Sequence, residues 1–208
     1  MLSLEIALPF FAASVLLGLS PGPDNLFVLM QSATQGRRAG YLVVLGLCTG
    51  LLGHTAAVAL GLAALVAASS MAFMLLKILG AAYLLYLAWM AWHAPDAPAP
   101  GTAESAGHAR SLYGRGVLMN LSNPKVALFF LAFLPQFVQP TLGPVVWQIA
   151  QLGAIFMLAT LLTFGAISFF AAGIGQFLRR SRRAQKWMNR SSAVLFAGLA
   201  ARLAIAER

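Results

Sequence analysis

The sequence is short of charge, and of acidic residues in particular. Of its 208 residues 60% are hydrophobic and only 9% are charged, and 5 acidic residues stand against 14 basic ones. About a quarter of the residues of an ordinary soluble domain are charged, so we expect an integral membrane protein. The basic excess lies between the apolar runs, where it marks orientation in a membrane, and we expect no nucleic-acid partner.

Several chemistries are also missing. Cys48 is the only cysteine, which excludes an intramolecular disulfide and a CxxC redox pair. The sequence has no P-loop motif and no cluster of histidines and acidic residues with metal-ligand spacing. We therefore expect no cofactor, no metal and no enzymatic activity. The N-terminal segment lacks the basic region and cleavage site of a secretory signal, so its apolar run is expected to be retained.

Six apolar stretches approach the roughly 20 residues that a helix needs to cross a bilayer. They are Leu4–Met30, Gly40–Ala67, Met71–Trp92, Gly116–Val138, Val145–Phe177 and Trp187–Ala206. The last is the weakest because it contains Arg202, and five spans remain an alternative. Lysine and arginine occupy alternate connections only, so the basic loops are predicted to be cytoplasmic and, with six spans, both termini to lie outside.

The predicted organisation is two halves of three helices. Residues 93–115 include a polar, Pro/Ala/Gly-rich segment typical of a flexible linker; it would separate a first repeat at 1–92 from a second at 116–208, in one membrane domain. Because three is odd, the halves would have opposite topology, as in inverted-repeat transporters. Small-residue faces permit a homodimer without requiring one.

Each half begins with a polar island inside its first span. The first is "LSPGPDNLF" from Leu19, and the second is "MNLSNPKVALFF" from Met119. Proline lacks an amide donor and frees the carbonyl four residues back, so the first and fourth helices are predicted to be broken. Each proline can also start a new half-helix, with Ser20 or Asn123 as its cap, and the two positive N-terminal ends could face one anion-binding volume. The predicted break residues are Ser20, Pro21, Gly22, Pro23 and Pro124, and the freed carbonyls are those of Leu17, Leu19 and Asn120.

Asp24 and Lys125 are the opposite charges deep in the predicted spans. A charge at that depth costs several kcal/mol unless it is paired or hydrated. One interpretation is a structural ion pair. The other is a zwitterion site, in which Asp24 takes an ammonium group and Lys125 a carboxylate, lined by Asn25, Asn120 and Asn123.

His54 lies in the middle of the second predicted span. A lone histidine there is more often a hydrogen-bonded packing residue. Its ordinary titration range near neutrality also makes it a candidate proton relay.

Three segments resemble a known family: "SPGPDNLFVLMQSATQGRRAG", "LKILGAAYLLYLAW" and "NLSNPKVALFFLAFLPQFV". They are similar to the lysine-exporter (LysE) superfamily, and most of all to its homoserine/threonine-exporter (RhtB) type, and the resemblance runs over nearly the whole chain. It implies a multi-pass carrier of the bacterial cytoplasmic membrane that exports small neutral amino acids or derivatives such as threonine, homoserine or leucine, driven by protons. The signature positions of the family fall on Pro21, Gly22, Pro23, Asn120, Asn123, Pro124 and Lys125, and Asp24 matches a position that is often polar or acidic.

A small-solute channel with a half-helix pore is the alternative function, since "NP" opens half-helices in such pores. Two features favour a carrier. Only one NP motif is present, and both breaks lie inside long spans.

Overall fold

The protein is helical throughout the part that the structure describes. This computed structural model describes residues 2–20, 22–68, 70–93, 109–171 and part of 186–201. The α-helices of the described ranges are α1 (Leu4–Leu19), α2 (Pro23–Gln35), α3 (Arg37–Ala68), α4 (Ser70–Trp92), α5 (Ala109–Ser122), α6 (Pro124–Leu128) and α7 (Val145–Phe169). A π-helical turn (Phe129–Phe133) and a 3-10 turn (Leu134–Phe137) continue α6, and a second 3-10 turn (Pro140–Leu142) precedes α7.

Two of these helices are long and apolar enough to cross a membrane by themselves. They are Arg37–Gly61 within α3 and Val145–Phe169, which is α7. Two bent pairs, α1 with α2 and α5 with the helical segment Pro124–Phe137, also qualify when each pair is taken as one span, which gives up to four in the described residues. The all-helical membrane architecture is therefore confirmed at this level, while six spans and an inverted repeat stay predictions.

The two predicted helix breaks are present. The axis bends by 63° between α1 and α2, and by 49° between α5 and the segment that begins at Pro124. Gly22 and Asn123 have extended backbones immediately before Pro23 and Pro124, which occupy the first helical positions that proline tolerates. Each break thus follows from a local feature of the chain.

Helix α3 packs closely on α5 because glycines meet at the crossing. A Cβ added at Gly116 would collide with the carbonyl of Val43 and lie 3.1 Å from the Cα of Gly46. A Cβ at Gly46 would collide in turn with the carbonyl of Tyr113. Small residues of this kind let helix backbones approach inside a membrane, where apolar side chains give little preference for protein over lipid.

An aromatic cluster holds the second break against α1 and α7. The ring of Phe129 lies 5.7 Å from that of Phe10 and 5.2 Å from that of Phe156, between ring centroids. Phe10, Phe129 and Phe133 are fully buried. Large apolar side chains elsewhere face outward, such as Leu4 and Leu60, which are 74% and 75% exposed, as expected for a surface covered by lipid.

Several sequence predictions differ from, or fall outside, the described structure. Helix α5 begins at Ala109, inside the segment predicted as linker, and α3 begins at Arg37, before the predicted start of its span. Pro21, residues 94–108, and most of the predicted sixth span with its Arg202 lie outside the described residues.

Candidate functional site

The first break is built around the C-terminal end of α1. Ser20 is the C-cap of that helix, and its amide donates to the carbonyl of Leu16 at 3.0 Å. The N-cap of α2 is Gly22, which provides no side-chain cap. The prediction that Ser20 caps the new half-helix is therefore wrong: Ser20 is the C-cap of α1, and two further residues separate it from Pro23.

Side chains from α2 and α6 donate hydrogen bonds to the carbonyls at this end of α1. Lys125 Nζ donates to the carbonyl of Leu17 at 3.2 Å and to that of Ser20 at 3.1 Å. Asn25 Nδ2 donates to the carbonyl of Gly18 at 2.6 Å. The Leu17 carbonyl, which Pro21 was predicted to free, therefore has a partner, and a cation lies at the negative end of the α1 dipole.

Asn123 joins the two breaks. It is the N-cap of α6, where its Oδ1 accepts from the Lys125 backbone amide at 3.0 Å, as the sequence predicted for this cap. Its Nδ2 donates to Asp24 Oδ2 at 2.7 Å. Because the amide oxygen faces a backbone donor, the nitrogen must face the carboxylate, and the orientation of the amide is determined.

Asp24 and Lys125 are both buried, 2% and 7% exposed, in the same site. Within the described residues their charged groups do not form an ion pair at 4.0 Å or less. The carboxylate is hydrogen-bonded to Asn123, and the ammonium to backbone carbonyls of α1. A direct ion pair, one of the two sequence interpretations, is therefore not formed in this structure.

Several buried oxygens of this region have no hydrogen-bond partner among the described residues. They are Ser20 Oγ, Asp24 Oδ1, Asn25 Oδ1, Asn120 Oδ1 and, further along the chain, Gln136 Oε1. An unsatisfied buried polar group costs about 1–3 kcal/mol. Four of the five atoms belong to residues that the sequence predicted for the site: Ser20, Asp24, Asn25 and Asn120.

His54 contacts the second break from α3. Its Nε2 lies 3.1 Å from the carbonyl of Asn120, the group that Pro124 was predicted to free, and the Asn123 amide donates to the same carbonyl at 3.1 Å. Since a carbonyl only accepts, Nε2 of His54 must carry the hydrogen. The imidazole also packs 5.6 Å from the Phe130 ring, between centroids.

Sequence reasoning missed some buried polar contacts. Ser32 Oγ lies 2.9 Å from Ser168 Oγ, which joins α2 to α7, and Gln148 binds the loop before α7 through the backbone of Gln139 and Gly143. Single serines and glutamines carry no spacing signal that could have identified them. No group of three or more metal-ligating side chains occurs in the described ranges.

Apolar helices long enough to cross a membrane identify an integral membrane protein. Two of its spans are broken, and a carboxylate, a lysine and acceptors without partners are buried near the breaks, so the molecule has an internal polar site. A family model described as "LysE type translocator" matches residues 15–207, and the chain belongs to that family. The resemblance seen in the sequence is thereby confirmed.

Relatives support the same assignment. The chain is 32% identical to an uncharacterized membrane protein of Vibrio cholerae, over 99% of this chain and 100% of the relative. It is 31% identical to the homoserine/homoserine lactone efflux protein of Salmonella typhimurium, over 95% of each chain. No solved structure matches the chain. The protein is thus a bacterial multi-pass membrane protein.

Proposed function

We propose that the protein is a secondary transporter that exports small neutral amino acids or close derivatives, threonine-, homoserine- or leucine-like, from the cytoplasm in exchange for protons. Membership of the LysE type translocator family supports transport. The Salmonella relative, named as an efflux protein for homoserine and homoserine lactone, supports the direction and the substrate class, because the similarity covers 95% of both chains. The protein acts as a carrier and not as an enzyme.

One observation carries the proposal: the Asp24 carboxylate is buried beside a helix break and has one oxygen without a partner. A carboxylate in a membrane is costly and is usually functional. The free Oδ1 can accept from an ammonium group or take a proton, whereas Oδ2 is held by Asn123. Asp24 would bind substrate, with Asn25, Asn120 and Asn123 around it and Lys125 as the fixed cation.

Exchange at a single carboxylate explains how protons could drive export. If Asp24 holds either a proton or the substrate ammonium, each displaces the other, and inward proton flow removes substrate from the cell. A membrane potential of about 100 mV acting on one charge supplies about 2.3 kcal/mol, enough for a gradient of roughly fiftyfold. His54 Nε2 lies 3.1 Å from the Asn120 carbonyl at the second break, which supports a hydrogen-bonded packing role for it, and a proton relay is the alternative role that its variants test.

We further propose that the protein lies in the cytoplasmic membrane with its basic loops inside and both termini outside. Arg37 and Arg38 at the start of α3, and Arg110 and Arg115 in α5, would then face the cytoplasm, as the distribution of positive charge favours. A homodimer is compatible with this arrangement.

Efflux from proteoliposomes tests the proposal. The vesicles are loaded with labelled homoserine, threonine or leucine, and a proton gradient is imposed. We expect saturable, gradient-dependent efflux from wild type, whereas non-saturating flux would favour the channel alternative. Asp24→Asn removes a charge-assisted hydrogen bond worth about 1.5–3 kcal/mol, so efflux should fall about tenfold to a hundredfold.

Asp96→Asn is the matched control, because it makes the same change in the predicted linker. It should leave efflux unchanged. Undiminished, still proton-coupled efflux by the folded Asp24 variant would remove Asp24 from the mechanism.

A further inference from the structure

Helix α2 is short and has a glycine at each end. It begins after Gly22, where the axis bends by 63°, and it ends at Gly36, whose φ of +88° lies in the left-handed region that favours glycine. Apart from its chain neighbours, no atom of the described residues lies within 4 Å of a Cβ added at Gly36, so side-chain packing does not hold the chain there. Residues at the ends of an element commonly serve as hinges. Helix α2 therefore has the form of a segment that can pivot.

A chain of two hydrogen bonds joins the far end of α2 to its neighbours. Ser32 Oγ lies 2.9 Å from Ser168 Oγ, and Ser168 Oγ donates to the carbonyl of Arg37 at 3.1 Å. Because the one hydroxyl hydrogen of Ser168 is used on that carbonyl, Ser32 must donate in the bond between the two serines. The chain ties α2 to α7 and to the start of α3.

Helices α2, α3 and α7 are in direct contact at these two serines. Both side chains are buried, and that of Ser168 is fully so. A Cβ added at Gly40 on α3 would collide with the hydroxyl oxygens of both Ser32 and Ser168. The three helices therefore leave no space for a solute between them at this level.

An apolar layer separates the serine contact from the Asp24 carboxylate. Val28 lies one helical turn from Asp24 and one turn from Ser32, and Phe164 lies one turn before Ser168. Val28 and Phe164 belong to one buried cluster with side chains of α3. With a rise of about 1.5 Å per residue, the serines lie about 12 Å from Asp24 along α2. The site is thus closed on this side by an apolar layer and a serine layer.

We propose that Ser32 and Ser168 form the cytoplasmic gate of the transporter, and that substrate enters from the cytoplasm when α2 moves away from α7 and the bond between the serines opens. The inference rests on the proposed export function and orientation, in which the end of α2 beside Arg37 faces the cytoplasm. Helix α7 is the fixed partner because it is a continuous span of 25 residues, whereas α2 is a half-helix of 13. A hydrogen bond between neutral hydroxyls adds little net stability, so the gate opens readily.

A pair of cysteines tests the gate by locking it. Ser32→Cys and Ser168→Cys are combined in a Cys48→Ala background, which removes the only native cysteine, and are joined by an oxidant or bridged by cadmium ions. We expect the joined protein to lose efflux in proteoliposomes by about tenfold or more, and a reductant or a chelator to restore it. The two single-cysteine variants, treated in the same way, are the controls. Undiminished efflux by the joined protein would overturn the inference, as would failure of both reagents to join the pair.

Accessibility behind the gate provides a second test, which needs no transported substrate. Val28→Cys in the same background places a thiol between the gate and Asp24, at a fully buried position. Inverted membrane vesicles expose the cytoplasmic side to an impermeant methanethiosulfonate. Adding Ser32→Ala removes the bond of the gate and should raise the rate of modification about fivefold or more.

Ser122→Ala is the matched control for the labelling, because it removes an exposed hydroxyl that binds only carbonyls of its own helix. It should leave the rate of modification of Val28→Cys unchanged. Equal rates with Ser32→Ala and Ser122→Ala would overturn the inference. Modification only from the outer face of intact cells would overturn it as well.

The outcomes also separate the gate from the proposed function. If wild type exports amino acids and the joined cysteines do not slow it, the inference alone fails. If wild type exports no amino compound, the proposed function fails, and the modification of Val28→Cys, which requires no substrate, still decides whether the serines form a gate.

Discussion

At the scale of single residues, Asn123 determines how the two charges of the site are arranged. Its one amide group binds the start of α6 through Oδ1 and the Asp24 carboxylate through Nδ2. The two charged groups therefore bind neutral groups and not each other. The Asp24 carboxylate accepts from the Asn123 amide, and the Lys125 ammonium donates to carbonyls at the end of α1. Oδ1 of the Asp24 carboxylate is left without a hydrogen-bond partner among the described residues.

Replacing Asn123 by alanine should destabilise the protein. The variant loses a helix cap, worth about 1 kcal/mol, and leaves a buried carboxylate without its partner, at about 1–3 kcal/mol. We expect the free energy of unfolding in detergent to fall by about 2–4 kcal/mol. Ser122→Ala is the control, since the exposed Ser122 hydroxyl binds only carbonyls of its own helix. Equal stability of the two variants would contradict this role for Asn123.

His54 offers a second test at this scale. Its Nε2–H donates to the Asn120 carbonyl, and a glutamine amide can supply a similar donor. We expect His54→Gln to keep proton-coupled efflux within about threefold of wild type, and His54→Leu to lower stability by about 1 kcal/mol. If His54→Gln folds but exports without proton coupling, the packing role is insufficient and His54 relays the proton.

At the scale of helices, the glycine crossing between α3 and α5 sets the distance between His54 on α3 and Asn120 on α5. Asn120 lies on α5 one helical turn beyond Gly116, and His54 lies on α3 beyond Gly46 and Gly50. A Cβ at Gly50 would lie 2.7 Å from Oδ1 of Asn120. Close packing at the crossing therefore brings His54 within reach of the Asn120 carbonyl.

Gly116→Ala should separate these two helices. Its Cβ would collide with the backbone of α3, and overpacking of this kind costs about 1–3 kcal/mol. Gly114→Ala is the matched control on the same helix, because nothing lies within 4 Å of a Cβ there. Thermal unfolding in detergent should show a lower midpoint for Gly116→Ala, and an unchanged or higher one for Gly114→Ala. Similar midpoints would mean that the crossing tolerates a wider spacing.

At the scale of the whole molecule, the proposed orientation places the basic loops in the cytoplasm, and cysteine labelling tests it. Cys48 is buried and is the only cysteine, so its replacement by alanine provides a background for labelling. The loop before α7 exposes Thr141, and the predicted linker contains Ser105. These two positions lie on opposite sides of the membrane in the predicted topology.

An impermeant maleimide applied to intact cells should label Thr141→Cys and not Ser105→Cys. After the membrane is opened, both should react. The physical reason is that arginine and lysine are retained on the cytoplasmic side during insertion. Labelling of Ser105→Cys from outside, with Thr141→Cys protected, would reverse the proposed orientation.

Local features of the sequence predicted the helices and the breaks well. Run length and hydrophobicity depend only on neighbouring residues, which is why α7 begins at Val145 as predicted. Pro23 and Pro124 break their spans because a missing amide acts at the residue itself. The cap at Asn123 could be predicted for the same reason, because a capping side chain accepts from an amide only two residues along the chain, here that of Lys125.

What the sequence by itself determined is therefore an all-helical membrane chain with two broken helices, each carrying a charge near its break. Only the tertiary structure decided which groups of the site form hydrogen bonds with each other. Lys125 reaches carbonyls of Leu17 and Ser20, more than 100 residues away, and Asn123 takes the carboxylate that charge alone would assign to Lys125. The physical reason is that a proline frees a carbonyl locally, but the donor that satisfies it comes from whichever helix packs against the break.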